Sequence, residues 1–271
     1  MKIQDFSAMK LATSKISMIT CYDYTLATIL ADTDIDAILV GDSASTVMHG
    51  LPNTLLATVE MMVFHTRAVA AGAANKFIIG DMPFLSYRKD LPSTLEAMGA
   101  LMQAGANAIK LEGILGHEKA VMHAVQSGIP VMGHLGLTPQ SVHQLGGYKV
   151  QGRDDESARL IKEQAIILED AGCFALVLEC IPEELGKEIT DALSIPTIGI
   201  GAGVHVDGQV LVLQDLLGMN TDFKPKFVKP YFNGYDAIVK AINLYDEEVK
   251  SKVFPSQEFS FVAKIKECVN G

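Results

Sequence analysis

Eight short apolar runs recur along the chain, at residues 16–21, 37–41, 77–81, 108–112, 130–134, 174–180, 196–201 and 209–213. Runs of this length suit strands, and runs apolar on both alternating faces suit a parallel sheet that is covered on both sides. Between most of them lie alanine-rich stretches with helical spacing, at 55–74, 94–104 and, most clearly, 157–171, where Leu160, Ile161, Ala165 and Leu168 share one face. The pairs Ala104-Gly105, Ser127-Gly128 and Ala171-Gly172 precede strands, and glycine there supplies the left-handed cap that turns a helix back into a sheet.

Eight such units in 271 residues match a (β/α)8 TIM barrel, which needs about 250. A doubly wound open sheet is the competing architecture. It has fewer parallel strands, and no glycine fingerprint follows the first run here. The spacing predicts one barrel domain over residues 1–271. Residues 223–231 read as an ordered connection, 235–252 as the final barrel helix, and 254–271 as a C-terminal extension with a short helix.

Composition narrows the classes further. Hydrophobic residues make up 49% and charged residues 20%, as in a globular protein, and the net charge of −10 argues against a nucleic-acid partner. Cys21, Cys173, Cys180 and Cys268 have no zinc-like spacing, which favours a reduced, cytoplasmic setting. The N-terminus lacks signal-peptide character, and no apolar segment has the length of a membrane span. A protein free of membranes is expected.

The runs share a second property: many end on a chemically capable residue. Asp42 and Asp81 follow Gly-Asp steps, Lys110 and Glu112 sit two apart on one strand, His134 ends another run, and Glu179 another. Parallel sheets gather ligands at the carboxyl ends of their strands, so these residues are expected to converge. Carboxylates crowd together when a cation sits among them, and Mg²⁺ needs only one or two protein carboxylates plus a chelating substrate. The competing reading makes each aspartate the cap of the following helix. Lys110 and Glu112 face one side of an otherwise apolar strand, where charge is costly unless paired. Glu179, at the apolar end of a strand, suits a general base. Gly199-Ile200-Gly201-Ala202-Gly203 departs from dinucleotide spacing and reads as a tight turn.

Longer segments carry more. Thr20-Cys21-Tyr22-Asp23, Val40-Gly41-Asp42-Ser43, His65-Thr66-Arg67-Ala68-Val69, Gly80-Asp81-Met82-Pro83-Phe84 and Lys110-Leu111-Glu112-Gly113 are among them. So are Gly133-His134-Leu135-Gly136-Leu137-Thr138-Pro139-Gln140, Gly146-Gly147-Tyr148-Lys149-Val150-Gln151-Gly152 and Asp207-Gly208-Gln209-Val210-Leu211-Val212. In these the chain resembles the ketopantoate (3-methyl-2-oxobutanoate) hydroxymethyltransferase family over some four-fifths of its length. The resemblance implies a barrel of the phosphoenolpyruvate/pyruvate superfamily that acts in pantothenate biosynthesis. It implies transfer of a hydroxymethyl group from 5,10-methylenetetrahydrofolate to 3-methyl-2-oxobutanoate, forming 2-dehydropantoate. By the same matching Asp42 and Asp81 hold Mg²⁺ or a similar divalent ion, with Glu112 completing the metal site. Asp42, Ser43, Asp81 and Lys110 contact the keto acid, His134 lies beside it, and Glu179 accepts the proton. A homodecamer is implied as well. The alternatives are a metal-dependent C–C lyase or mutase of the same superfamily, and a barrel that serves only as a scaffold.

Overall fold

The computed structural model describes residues 1–221 and 225–262. Every expected run contains a strand: β1 (Ile16–Thr20), β2 (Ala37–Val40), β3 (Phe77–Asp81), β4 (Ala108–Glu112), β5 (Val131–Gly136), β6 (Ala175–Glu179), β7 (Thr197–Ile200) and β8 (Gly208–Leu211). Each pairs in parallel with its sequence neighbours, and β1 joins β8 to close the barrel. The open-sheet alternative is thereby excluded.

Helices Tyr24–Ala31, Val59–Gly72, Leu91–Gln103, Glu118–Gln126, Asp155–Asp170 and Glu183–Ala192 fill most of the links between strands. Four of these N-termini are capped by side chains placed one residue before the helix: Asp23, Thr58, Asp90 and Asp154 each accept a hydrogen bond from an N–H in the first turn. Gly105, Gly128 and Gly172 adopt the positive φ their places at helix ends require. One link breaks the rhythm. β7 and β8 are joined by residues 201–207 without a helix. Seven extended residues reach about 23 Å, enough to run back along a four-residue strand.

Side-chain alternation divides every strand into an inward and an outward set. The inward set forms a column: Ile16 and Met18, Ala37 and Leu39, Phe77 and Ile79, Ala108, Met132, Ala175 and Val177, Ile198 and Val210 are buried together. The N-terminal helix Ile3–Leu11 contributes Phe6, fully buried against this column. Its ring lies 5.1 Å from those of Phe77 and Phe174 in edge-to-face contact. The aromatic trio seals the end of the barrel at which the strands begin.

Internal packing separates two compact units. The first comprises Met1–Leu213 with Pro225–Val228 and contains the barrel; the second comprises described residues 214–221 and 229–262. The helix expected over 235–252 as the last of the barrel forms at Gly234–Lys250 but belongs to this second unit, where Tyr245 meets Phe254 edge-on and Phe254 meets Phe259 at a tilt. The described part of the extension expected over 254–271 holds a 3-10 turn at Gln257–Phe259; residues 263–271, where the rest of that extension falls, and residues 222–224, which include the start of the expected connection, lie outside the described residues. No helix among the described residues is long and apolar enough to cross a membrane.

Candidate active site

At the opposite end the inward column changes chemistry. The positions that continue Phe77 and Ile79, Ala108, Met132, and Ala175 and Val177 are Asp81, Lys110 with Glu112, His134 and Glu179. With Asp42 and Ser43 just after β2, they surround a cavity of about 120 Å³. All the residues singled out from the sequence meet here, and all but Ser43 and Glu179 are buried.

Neither Asp42 nor Asp81 caps a helix. Asp81 Oδ2 accepts a hydrogen bond from Asp42 N at 3.2 Å, while Oδ1 lies 2.8 Å from Lys110 Nζ. Asp42 Oδ2 accepts one from Gln140 Nε2 at 2.8 Å. Glu112 Oε2 accepts one from the backbone N–H of Gln140 at 3.0 Å, and Oε1 has no hydrogen-bond partner. Ser43 Oγ bonds the Tyr22 hydroxyl at 2.8 Å.

This crowding shifts the acids and bases. Burial, and then the charge of Asp81, push Asp42 up to about 8. Burial, and then Asp42, raise Glu112 well above the ordinary carboxylate range. Burial works against the Lys110 ammonium, but Asp81, Glu112 and Asp42 outweigh it and hold the lysine above its usual value. Among the described residues that line the cavity it is the one lysine or arginine, and it stays charged.

Lys110 also sets the state of His134. Its Nζ lies 3.3 Å from His134 Nδ1, and an ammonium has only donors, so Nδ1 is the bare nitrogen. The ring proton then sits on Nε2, which lies 3.2 Å from Glu179 Oε2. Burial and the charge of Lys110 hold the imidazole well below its usual value, hence neutral at pH 7. Glu179 is pushed up to about 7 by burial, with Lys110 pulling the other way. A carboxylate poised there matches what a general base needs. Directly after it Cys180 adopts φ +47°, an uncommon backbone state for a residue with a side chain, held by Cys180 N donating to Ile200 O and Gln151 N donating to Cys180 O. Burial, then Glu179, push the Cys180 thiol up to about 12, which leaves it un-ionised and unsuited to nucleophilic work.

Among the described residues no three His, Cys, Asp or Glu side chains converge closely enough to hold an ion between them. Asp42 and Asp81 are nevertheless tied together, and both are buried acids in a cavity where Lys110 is the one lysine or arginine among the described lining residues. A hard divalent ion that keeps several waters and takes one or two protein carboxylates fits this pair. The unpartnered Glu112 Oε1 fits a supporting place beside it.

Two features had no signal in the separate motifs. Gln140 and Tyr87 tie the carboxylates together from outside, through partners far away in sequence. His49 and His65, which share no metal-binding spacing, meet with their Nε2 atoms 2.8 Å apart, and His65 Nδ1 reaches Tyr22 O at 2.6 Å.

A closed parallel barrel with buried acids, a lysine and an imidazole at the carboxyl ends of its strands defines a (β/α)8 barrel whose site lies at the face where such barrels carry their chemistry. Solved structures agree on the fold. A phosphonopyruvate hydrolase, crystallised with oxalate and Mg²⁺, superposes with a TM-score of 0.63 at 11% identity, over 96% of this chain and 93% of that one. A 2,3-dimethylmalate lyase gives 0.58 at 13% identity, over 96% and 91%. Sequence is more specific. The family model for ketopantoate hydroxymethyltransferase matches residues 1–257. The 3-methyl-2-oxobutanoate hydroxymethyltransferase of Bdellovibrio bacteriovorus is 59% identical over 259 residues, covering 96% of this chain and 98% of that protein. The enzyme of the same name from Legionella pneumophila is 54% identical over 262 residues, covering 96% and 100%. The chain belongs to the ketopantoate hydroxymethyltransferase family.

Proposed function

We propose that the protein transfers a hydroxymethyl group from 5,10-methylenetetrahydrofolate to 3-methyl-2-oxobutanoate, giving 2-dehydropantoate for pantothenate biosynthesis. The observation that carries this reading is Glu179, a base poised near 7, facing a neutral His134 across a small cavity that Asp42, Asp81 and Lys110 also line. Asp42 and Asp81 would hold the divalent ion, Mg²⁺ or a similar one, with Glu112 in support. When bound there, the ion supplies Lewis-acid polarisation of the keto acid's oxygens.

The chain's own groups account for the proton and the charge. Glu179 takes the proton from C3 of the keto acid, so a C–H bond breaks as an O–H bond forms on the carboxylate. His134 Nε2 lies 3.2 Å from Glu179 Oε2, a polar contact rather than a hydrogen bond, and packs beside the carboxylate. Negative charge then moves onto the substrate's oxygen, where the fixed ammonium of Lys110 meets it. The carbon left electron-rich bonds to the one-carbon unit as that unit's two bonds to the folate nitrogens break; water supplies the hydroxyl oxygen, and its second proton and the one taken by Glu179 end on the two nitrogens, leaving tetrahydrofolate. Ser43, already hydrogen-bonded to Tyr22, is placed to bind the substrate carboxylate.

The same reading includes the homodecamer and the cytoplasmic setting of the family, and it treats residues 1–271 as one functional domain. Cys21, Cys173 and Cys180 are free thiols, in keeping with a reducing compartment. The lyase or mutase alternative is supported by likeness of fold alone. The deciding experiment incubates purified protein with the keto acid, 5,10-methylenetetrahydrofolate and defined metals. Formation of 2-dehydropantoate that stops in excess EDTA and returns with Mg²⁺ is expected. Keto-acid cleavage without the folate would overturn the proposal.

A further inference from the structure

Gln140 lies on the 3-10 turn Pro139–Ser141 that follows β5, and only 5% of it is exposed. Every polar atom of its side chain, and its backbone N–H, has a partner in or beside the site. Nε2 donates to Asp42 Oδ2 at 2.8 Å and to the Met82 carbonyl at 2.9 Å. Oε1 accepts from the Tyr87 hydroxyl at 2.8 Å, and N donates to Glu112 Oε2 at 3.0 Å. The N–H is available because Pro139 and Gln140 open the turn, where no preceding carbonyl can accept it. The amide has one possible orientation. A carbonyl such as that of Met82 only accepts, so Nε2 must face it and Oε1 must face Tyr87.

One neutral residue thus grips a carboxylate at the end of β2 and another at the end of β4, while Lys110 grips Asp81 between them. It takes a single oxygen from each, Asp42 Oδ2 and Glu112 Oε2, and leaves the second oxygen of each outside the clamp. Tyr87, 2% exposed, completes the device: its hydroxyl accepts from Glu112 N at 3.3 Å while donating to Gln140. A charged residue could not replace Gln140. A lysine or arginine would neutralise the acids, and a glutamate would repel them.

We propose that Gln140, oriented by Tyr87, is a positioning residue that holds Asp42 and Glu112 apart and aimed for a divalent cation, so that the clamp rather than the carboxylates alone sets the affinity for the ion. The inference rests on the metal-assisted reading above. It implies that removing the amide weakens metal binding before it disturbs the fold, because outer partners of ligating groups typically contribute about 10–100-fold in affinity.

The test titrates metal-stripped full-length protein with Mn²⁺, following free Mn²⁺ by electron paramagnetic resonance, alongside thermal unfolding. Gln140→Met, which keeps the volume, is expected to weaken Mn²⁺ binding about 10–100-fold and to raise the metal concentration needed for half-maximal turnover by the same factor. Tyr87→Phe is expected to weaken it several-fold, and the double variant to bind no more weakly than Gln140→Met, since both act through one contact. Native Mn²⁺ affinity in Gln140→Met, or additive losses in the double variant, would overturn the clamp. Should Gln140→Met not fold, Tyr87→Phe decides alone: weaker binding at unchanged melting temperature supports the clamp, and unchanged binding removes it. Native protein that binds no Mn²⁺ and is fully active in EDTA would instead bring down the metal-assisted reading itself.

Discussion

The two ends of the barrel are built from the same inward-facing columns, yet they hold opposite chemistry. Where the strands begin, Phe6, Phe77 and Phe174 close the interior with ring-to-ring contacts and no polar atom. Where they end, Asp42, Asp81, Lys110, Glu112 and His134 are equally buried but charged or polar. One end lowers the free energy of the folded state by removing apolar surface from water. The other raises it, because desolvation pushes the carboxyls of Asp42, Glu112 and Glu179 upwards. Stability and chemistry are thus assigned to opposite ends of the barrel, and β3 shows the division within five residues, from Phe77 to Asp81.

Substitutions at the two ends should therefore separate activity from stability. The largest expected effect is on rate. Glu179→Gln should lower turnover and C3–H exchange of the keto acid into heavy water by about 10²–10⁴-fold, read by proton NMR. The same change should make the protein more stable. A carboxyl raised from 4.5 to about 7 binds its proton more tightly folded than unfolded. It costs nothing below pH 4.5, costs progressively more as pH rises to 7, and carries its full cost above that, up to ~3 kcal/mol. Denaturant unfolding at pH 8 should show Glu179→Gln above the native protein, and at pH 4 the two should coincide. If both variants unfold alike at pH 8, the mouth is not under the strain described.

At the other end Phe6→Ala should do the reverse. Loss of a fully buried ring should cost about 3–5 kcal/mol in chemical unfolding, while kcat/KM of the folded fraction stays at the native value. A changed kcat/KM would mean that the sealed end is coupled to the mouth. The smallest expected effect concerns protons at the metal site. With Asp42 pushed up to about 8, a cation must displace a proton below that pH. Calorimetric Mg²⁺ affinity should fall about tenfold per pH unit on moving down from 8, and level off above it. A flat profile from pH 6 to 9 would remove Asp42 from the ligand set.

Much of the barrel is legible in the chain because burial on both faces makes each strand a short apolar run, a signal local enough to read without partners. The polar endings are legible for a related reason. Asp81, Lys110, Glu112 and Glu179 stand out because they interrupt apolar strands, where charge is expensive. Phe6 carries no such mark; an aromatic residue in a short N-terminal helix looks like any other, and its role depends on Phe77 and Phe174 arriving from distant strands. The missing helix between β7 and β8 is hidden too, since seven residues that begin with Gly201-Ala202-Gly203 can be read as the opening of another unit.

By itself the sequence determined the strand count, the parallel order, the residues that meet at the mouth and, through its longer segments, the family. These follow from periodicity and from the cost of charge in apolar surroundings, which act within a few residues. Only the tertiary structure decided how those residues are held. The neutral state of His134 is imposed by burial and then by Lys110 of the neighbouring strand, and Asp42 is gripped by Gln140 from 98 positions away. Hydrogen bonds and desolvation depend on which groups are adjacent in space, and closing the barrel is what makes them so.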